Sequence, residues 1–217
     1  MKLDVKHVLR IAWWLFSHIF ADLGGFLLIR YQKYGVLNYI YRGPLLVCSN
    51  HVSWFDPPIV GAAQFRVMHY IANKKLFRFP LFAAFIGMYG AFPLDLEKPA
   101  AGMKTTFKIL AGRKEVLIFP EGTRSVDGKL RPGELGVGML IYKAKARVIP
   151  TYVAGSHIIL PEGGSLWNAP IKVFIGWEFP ADEYRRMPAD KGTYRFVADR
   201  ITEALAGLRD FALENRV

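Results

Sequence analysis

Apolar and polar positions along the chain follow two rhythms. Short apolar runs bounded by Gly, Pro or polar residues fall at 45–49, 67–72, 116–119, 148–153 and 171–175, and they predict strands. Between them, residues 79–88, 102–111 and 136–145 carry helical patterns, with Pro80 acceptable in a first turn. The clearest helix is the last. Val197, Ile201, Ala204, Leu205, Leu208 and Phe211 recur at helical spacing, while Asp199, Glu203, Arg209 and Asp210 fill other faces. Strands alternating with helices predict an α/β fold with a largely parallel central sheet flanked by helices. No internal repeat, low-complexity stretch or linker interrupts the pattern.

The N-terminal stretch differs. Residues 11–29, IAWWLFSHIFADLGGFLLI, nearly reach the roughly 20 apolar residues that cross a bilayer. Wound at about 100° per residue, His7, Arg10, His18 and Asp22 share one sector, and Trp13, Leu15, Phe16, Phe20, Leu23 and Phe26 take the rest. A narrow polar stripe on a large apolar body predicts a helix lying in the lipid interface. A true span and ordinary core packing are the alternatives. Trp13, Trp14, Tyr31, Tyr34, Tyr39 and Tyr41 suit the headgroup region. No small-residue cleavage site follows the apolar core, so a cleaved signal peptide is not expected. The expected organisation is a hydrophobic membrane-associating helical element over 1–42 and one α/β domain over 43–217.

Composition changes this picture in two ways. A chain of 217 residues with 52% hydrophobic and 22% charged residues lies between a freely soluble protein and a polytopic one, which suits a membrane surface. The net charge of +11 is uneven: residues 1–177 hold 22 Lys or Arg against 10 Asp or Glu, and residues 178–217 hold 7 against 8. A basic body attracts anionic bilayers, anionic substrates or nucleic acid. The chain has no RNA-binding aromatic signature, zinc-finger spacing or helix-turn-helix pattern, so a nucleic-acid partner is not expected. Cys48 is the only cysteine and sits in an apolar run, which excludes a disulfide framework and predicts inert packing. His7, His18, His69 and His157 lack ligand spacing, and no metal site is expected.

Candidate chemistry begins where the first predicted strand ends, in Asn50-His-Val-Ser-Trp-Phe-Asp56. Catalytic groups in parallel α/β sheets collect at the carboxyl ends of strands. A neutral imidazole can take a proton from an alcohol, and a carboxylate on its other nitrogen fixes the tautomer. His51 and Asp56 supply that pair, although a His and an Asp five residues apart are by themselves more often structural. Neither a nucleophilic serine elbow nor a reactive cysteine accompanies them, which favours direct attack by a substrate hydroxyl. Ser53 is the nearest rival nucleophile, and a strand-like backbone would turn it away from His51.

A second motif, Phe119-Pro-Glu-Gly-Thr-Arg-Ser125, follows another predicted strand. Gly122 lets a ligand approach the main chain, Thr123 and Ser125 offer hydroxyls, and Arg124 can grip a phosphate through two parallel donors. Glu121 would shape the turn or accept a substrate hydroxyl. A surface turn with a local ion pair is the plain alternative.

Together the two motifs closely resemble signature blocks of the 1-acylglycerol-3-phosphate acyltransferase family, the PlsC-type glycerolipid acyltransferases. The resemblance implies that His51 and Asp56 are the catalytic pair and that Glu121, Gly122, Thr123 and Arg124 bind the acceptor's phosphate. Gly90-Ala-Phe-Pro-Leu-Asp95 resembles the family's intermediate block, and Val148-Ile-Pro-Thr-Tyr-Val153 its apolar block, so the likeness runs from about 43 to 155. The intermediate block usually ends in Asp-Arg. Here Leu96 follows Asp95, and Lys74, Lys75 or Lys98 is the candidate replacement charge.

What the resemblance implies is acyl transfer from acyl-CoA or acyl carrier protein, as a substrate and not a tightly bound cofactor, to lysophosphatidic acid. Glycerol 3-phosphate or another lysolipid is the alternative acceptor, and a catalytically silent lipid-binding protein the alternative function. The expected location is the cytoplasmic face of a membrane. Phe77, Phe79, Phe82, Phe85, Ile86 and Met88 form a candidate wall for the acyl chain, with core packing as the alternative.

Overall fold

The computed structural model describes residues 30–88, 90–94, 99–158 and 170–214. Seven strands run in chain order as β1 Gln32–Tyr34, β2 Leu45–Ser49, β3 Met68–Asn73, β4 Ala91–Leu94, β5 Glu115–Ile118, β6 Arg147–Ala154 and β7 Lys172–Ile175. Five helices accompany them: α1 Asp56–Ala62, α2 Pro80–Met88, α3 Pro99–Ala111, α4 Leu135–Lys143 and α5 Lys191–Glu214. The strands form one sheet in the order β1-β7-β6-β2-β5-β3-β4. Every pairing is parallel except β6 with β7.

Strand β2 lies at the centre and all five of its residues are buried. Its side chains alternate between the two faces. Leu45 and Val47 join Leu117 and Ile149 against Ile59 and Val60 of α1. Leu46 and Cys48 join Val116, Ile118 and Val148 against Leu140 and Ile141 of α4 and Val197 and Ile201 of α5. Burial on both faces explains why these strands read as unbroken apolar runs.

The predicted strands and helices appear, β2 at its expected bounds and the others with shifted ends. Strand β1, strand β4 and helix α1 were not legible in the apolar pattern. The first two are only three and four residues long. Helix α1 opens on Asp56, Pro57 and Pro58; the first turn needs no amide donors, so prolines fit there. The return from β6 to β7 turns at Gly155, where φ is +83° and a Cβ would meet the Pro170 carbonyl.

Two of the tyrosines expected at lipid headgroups, Tyr31 and Tyr39, serve the interior instead. Tyr31 and Tyr39 are buried, with Tyr31 donating to the Ile59 carbonyl and the Tyr39 hydroxyl bonded to that of Thr151. Tyr34 stacks on Phe174, and Tyr41 lies under the Arg147 guanidinium. The physical reason is β1: by pairing with β7 it draws residues 31–39 onto the sheet. The N-terminal residues 11–29, Trp13 and Trp14 lie outside the described residues. Among those described, no helix is long and apolar enough to cross a membrane.

Candidate active site

Strands β2 and β5 are parallel neighbours in which Cys48 faces Ile118. Three residues beyond these partners, at the same end of the sheet, come His51 and Glu121. The two motifs therefore meet because of strand register. The His51 amide donates to Glu121 Oε1 at 3.0 Å, and the Ser125 amide donates to the His51 carbonyl at 2.8 Å.

Asp56 is fully buried, and its Oδ2 gathers three donors. His51 Nδ1 lies 2.9 Å away, and the Val52 and Ser53 amides donate at 2.7 Å each. Asp56 Oδ1 is buried and meets no donor among the described residues. Two amides anchoring one oxygen fix the carboxylate independently of the imidazole. The imidazole is also held by its face: it stacks on Phe119 with centroids 3.9 Å apart and planes 15° from parallel. With Nδ1 turned to Asp56 and the ring plane fixed, Nε2 is the nitrogen left for substrate. The side chain is 16% exposed, enough for a hydroxyl to approach.

Ser53 is buried, and its hydroxyl accepts from the Phe55 amide at 3.2 Å. It shapes the turn that brings Asp56 back to His51. Asn50 does comparable work on the other side, its side chain exchanging two hydrogen bonds with the Val153 main chain at 3.0 and 2.7 Å. These bonds extend the β2–β6 pairing past the end of β2 and tether the loop that carries His51.

The second motif turns at Gly122, with φ +71°. Gly122 and Thr123 are exposed, and Arg124 is half-buried with its guanidinium carbon 4.0 Å from the Trp54 ring centroid. Glu121 points inward. Its second oxygen accepts from the Arg131 amide at 3.1 Å, so both carboxylate oxygens hold backbone. Burial pushes the Glu121 carboxyl above its usual range, against the two amides, which lower it. Ser125 is buried and donates to Asp127 at 2.8 Å, closing the turn.

Lys74 and Lys75 open a short 3-10 helix, Lys74–Arg78, at the carboxyl end of β3. They share that end of the sheet with His51 and Glu121, one strand beyond β5. Asp95, Leu96 and Lys98 lie outside the described residues. Phe79 and Leu81 are 68% and 90% exposed, so core packing does not account for the apolar character of Phe79. Among the described residues, no group of His, Cys, Asp and Glu is placed to hold a metal ion. Phe119, Asn50 and the Arg131 amide escaped the sequence reading. The Phe119 ring offers no sequence signal without knowledge that β2 and β5 are neighbours.

A family model described as Acyltransferase matches residues 30–154. A 1-acyl-sn-glycerol-3-phosphate acyltransferase of Bacillus subtilis is 30% identical over 179 residues, which cover 81% of this chain and 83% of that protein. One of Streptococcus pneumoniae is 32% identical over 122 residues, covering 54% of this chain and 42% of that one. The crystal structure of the 1-acyl-sn-glycerophosphate acyltransferase PlsC from Thermotoga maritima superposes with a TM-score of 0.71 at 20% identity, covering 95% of this chain and 84% of that one.

Proposed function

Because the chain belongs to the Acyltransferase family, we propose that it moves a fatty acyl group from a thioester donor to the sn-2 hydroxyl of 1-acylglycerol 3-phosphate, giving phosphatidic acid. The observation that carries the reading is the 2.9 Å contact between His51 Nδ1 and a doubly anchored Asp56, beside the turn of exposed Gly122 and Thr123 and half-buried Arg124.

His51 Nε2 takes the proton of the acceptor hydroxyl as its oxygen attacks the thioester carbonyl. Asp56 steadies the imidazolium that forms. The C–O bond forms, the C–S bond breaks, and the departing thiolate of CoA or acyl carrier protein recovers the proton from His51. No acyl-enzyme is needed. Arg124, with the Gly122 and Thr123 backbone, holds the acceptor's phosphate so that its hydroxyl reaches Nε2. Glu121 serves this arrangement as a clasp: one oxygen holds the His51 amide and the other the Arg131 amide. Lys74 and Lys75 supply positive charge for the acceptor from the neighbouring strand. The exposed apolar side chains at Phe79 and Leu81 suit contact with the acyl chain or the lipid surface. The enzyme works as a peripheral protein on the cytoplasmic leaflet, where both donors are available.

An acceptor panel tests the substrate. With one acyl-CoA donor, purified protein is assayed against lysophosphatidic acid, glycerol 3-phosphate and a lysolipid with a substituted phosphate. Lysophosphatidic acid is expected to lead the substituted lysolipid by at least about tenfold in kcat/KM, the value of one lost charge-assisted contact, and to lead glycerol 3-phosphate, which keeps the phosphate but lacks the acyl chain. A preference for the substituted lysolipid would remove the assignment.

A further inference from the structure

Proton transfer uses neither of the two large apolar side chains of the first motif: Phe55 packs against the core, and Trp54 is left outside. It is 64% exposed, although an indole is among the most favourable side chains to bury. The turn that folds Asp56 onto His51 forces it outward. Ser53, on one side of it, faces the interior, and Phe55, on the other, is tied to the Ser53 hydroxyl. What Trp54 meets there is Arg124, whose guanidinium lies over the indole face at 4.0 Å. Among the described residues, no carboxylate pairs with Arg124. A guanidinium held over a ring by cation–π attraction forms no conventional hydrogen bond with it, so its N–H donors stay available. The contact therefore orders the side chain without consuming a donor, whereas a bidentate ion pair with a carboxylate would consume two.

We propose that Trp54 is a positioning residue, a platform that holds the Arg124 guanidinium in one orientation with its donor edge presented to the acceptor's phosphate. This rests on the reading of Arg124 as the phosphate ligand. A free arginine samples many rotamers and loses that freedom on binding, so a platform that orders it beforehand strengthens acceptor binding. The arrangement also ties the two motifs together at the surface, as Glu121 and the His51 amide do below it. Movement of the turn that bears Arg124 relative to the turn that bears His51 is thereby limited. The platform acts on the acceptor alone, because the thioester carries its reacting carbonyl to His51 without needing that guanidinium.

The test is a set of steady-state assays on the full chain in mixed detergent–lipid micelles. It compares wild type, Trp54→Phe, Trp54→Leu, Arg124→Ala and the Trp54→Leu/Arg124→Ala double variant. Trp54→Leu is expected to raise the acceptor KM about five- to tenfold, the size of a partly exposed cation–π contact, and to leave the donor KM unchanged. Trp54→Phe, which keeps a ring face, recovers most of the loss. In the Arg124→Ala background Trp54→Leu should cost less than about twofold further, because its partner is gone. Equal penalties for Trp54→Leu with and without Arg124 would overturn the platform, as would a rise in both KM values, which marks a lipid anchor. An Arg124→Ala variant with unchanged acceptor KM would instead remove the phosphate reading itself. Trp54 is exposed, so thermal melts of all variants should coincide and separate these effects from folding.

Discussion

Asp56 Oδ2 is asked to do two things at once, and an asparagine substitution separates them. The Val52 and Ser53 amides need only an oxygen acceptor, which the side-chain amide of asparagine would retain, while the imidazolium needs a charge. Asp56→Asn is therefore expected to fold with a melting temperature near wild type and to lose roughly 10²-fold or more in kcat. Unfolding of this variant would show that the pair is structural. Glu121 behaves differently. Glu121→Gln keeps one acceptor but turns an amide group toward the other backbone N–H, a clash of donors at a buried position. A cost of about 1–3 kcal/mol in chemical denaturation is expected, with kcat falling alongside it. Loss of acceptor binding with unchanged stability would show instead that Glu121 touches substrate.

Two elements are written plainly in the sequence: β2, which has the expected bounds 45–49 and whose neighbours bury both faces, and α5, whose one apolar stripe packs under the sheet. The site was legible to the same degree. His51 and Asp56 could be read from type and spacing, but the join between the motifs depends on β2 and β5 pairing in parallel, which no local pattern encodes. For Glu121 the sequence allows a turn-shaping role or contact with a substrate hydroxyl, and register turns both of its oxygens to backbone amides.

The start of β5 carries a further consequence. Glu115 is 1% exposed, and burial pushes its carboxyl up to about 7 despite the Arg66 guanidinium 3.3 Å away. Its native pKa thus lies above the unfolded one. Over the window from about 4.5 to 7 the unfolded chain releases this proton while the native chain keeps it, so stability falls as pH rises. Glu115→Gln should remove that slope. The variant's stability relative to wild type should improve by on the order of 3 kcal/mol between pH 4 and 8, measured by denaturant melts. A constant difference across that range would contradict the buried-carboxyl account. Close packing of α4 on α5 is a second feature at this scale. A Cβ at Gly138 would run into the Tyr194 carbonyl, so Gly138→Ala should destabilise the fold by about 1–3 kcal/mol even though alanine favours helix.

Across the molecule, chain direction places the start of β1 relative to the site. Gln32 pairs with Lys172, and Lys172 with Ala154, so β1 begins beside the carboxyl end of β6. That is the end of the sheet where β2 and β5 deliver His51 and Glu121. With a net charge of +11, the protein is expected to bind vesicles of anionic lipid and not neutral ones. Sedimentation with vesicles should show that binding weakened severalfold between about 50 and about 500 mM salt. Equal binding to both lipids at both salts would assign attachment to apolar contact alone.

The most direct measurement is the rate of thioester cleavage driven by lysophosphatidic acid, compared between wild type and His51→Ala at saturating substrates. Transfer by a base predicts a fall of roughly 10²- to 10⁴-fold in kcat, with both KM values and the melting temperature within about twofold and a few degrees of wild type. A His51→Ala protein that turns over at the wild-type rate would show that the imidazole held by Asp56 and Phe119 takes no proton, and base catalysis at this site would be contradicted.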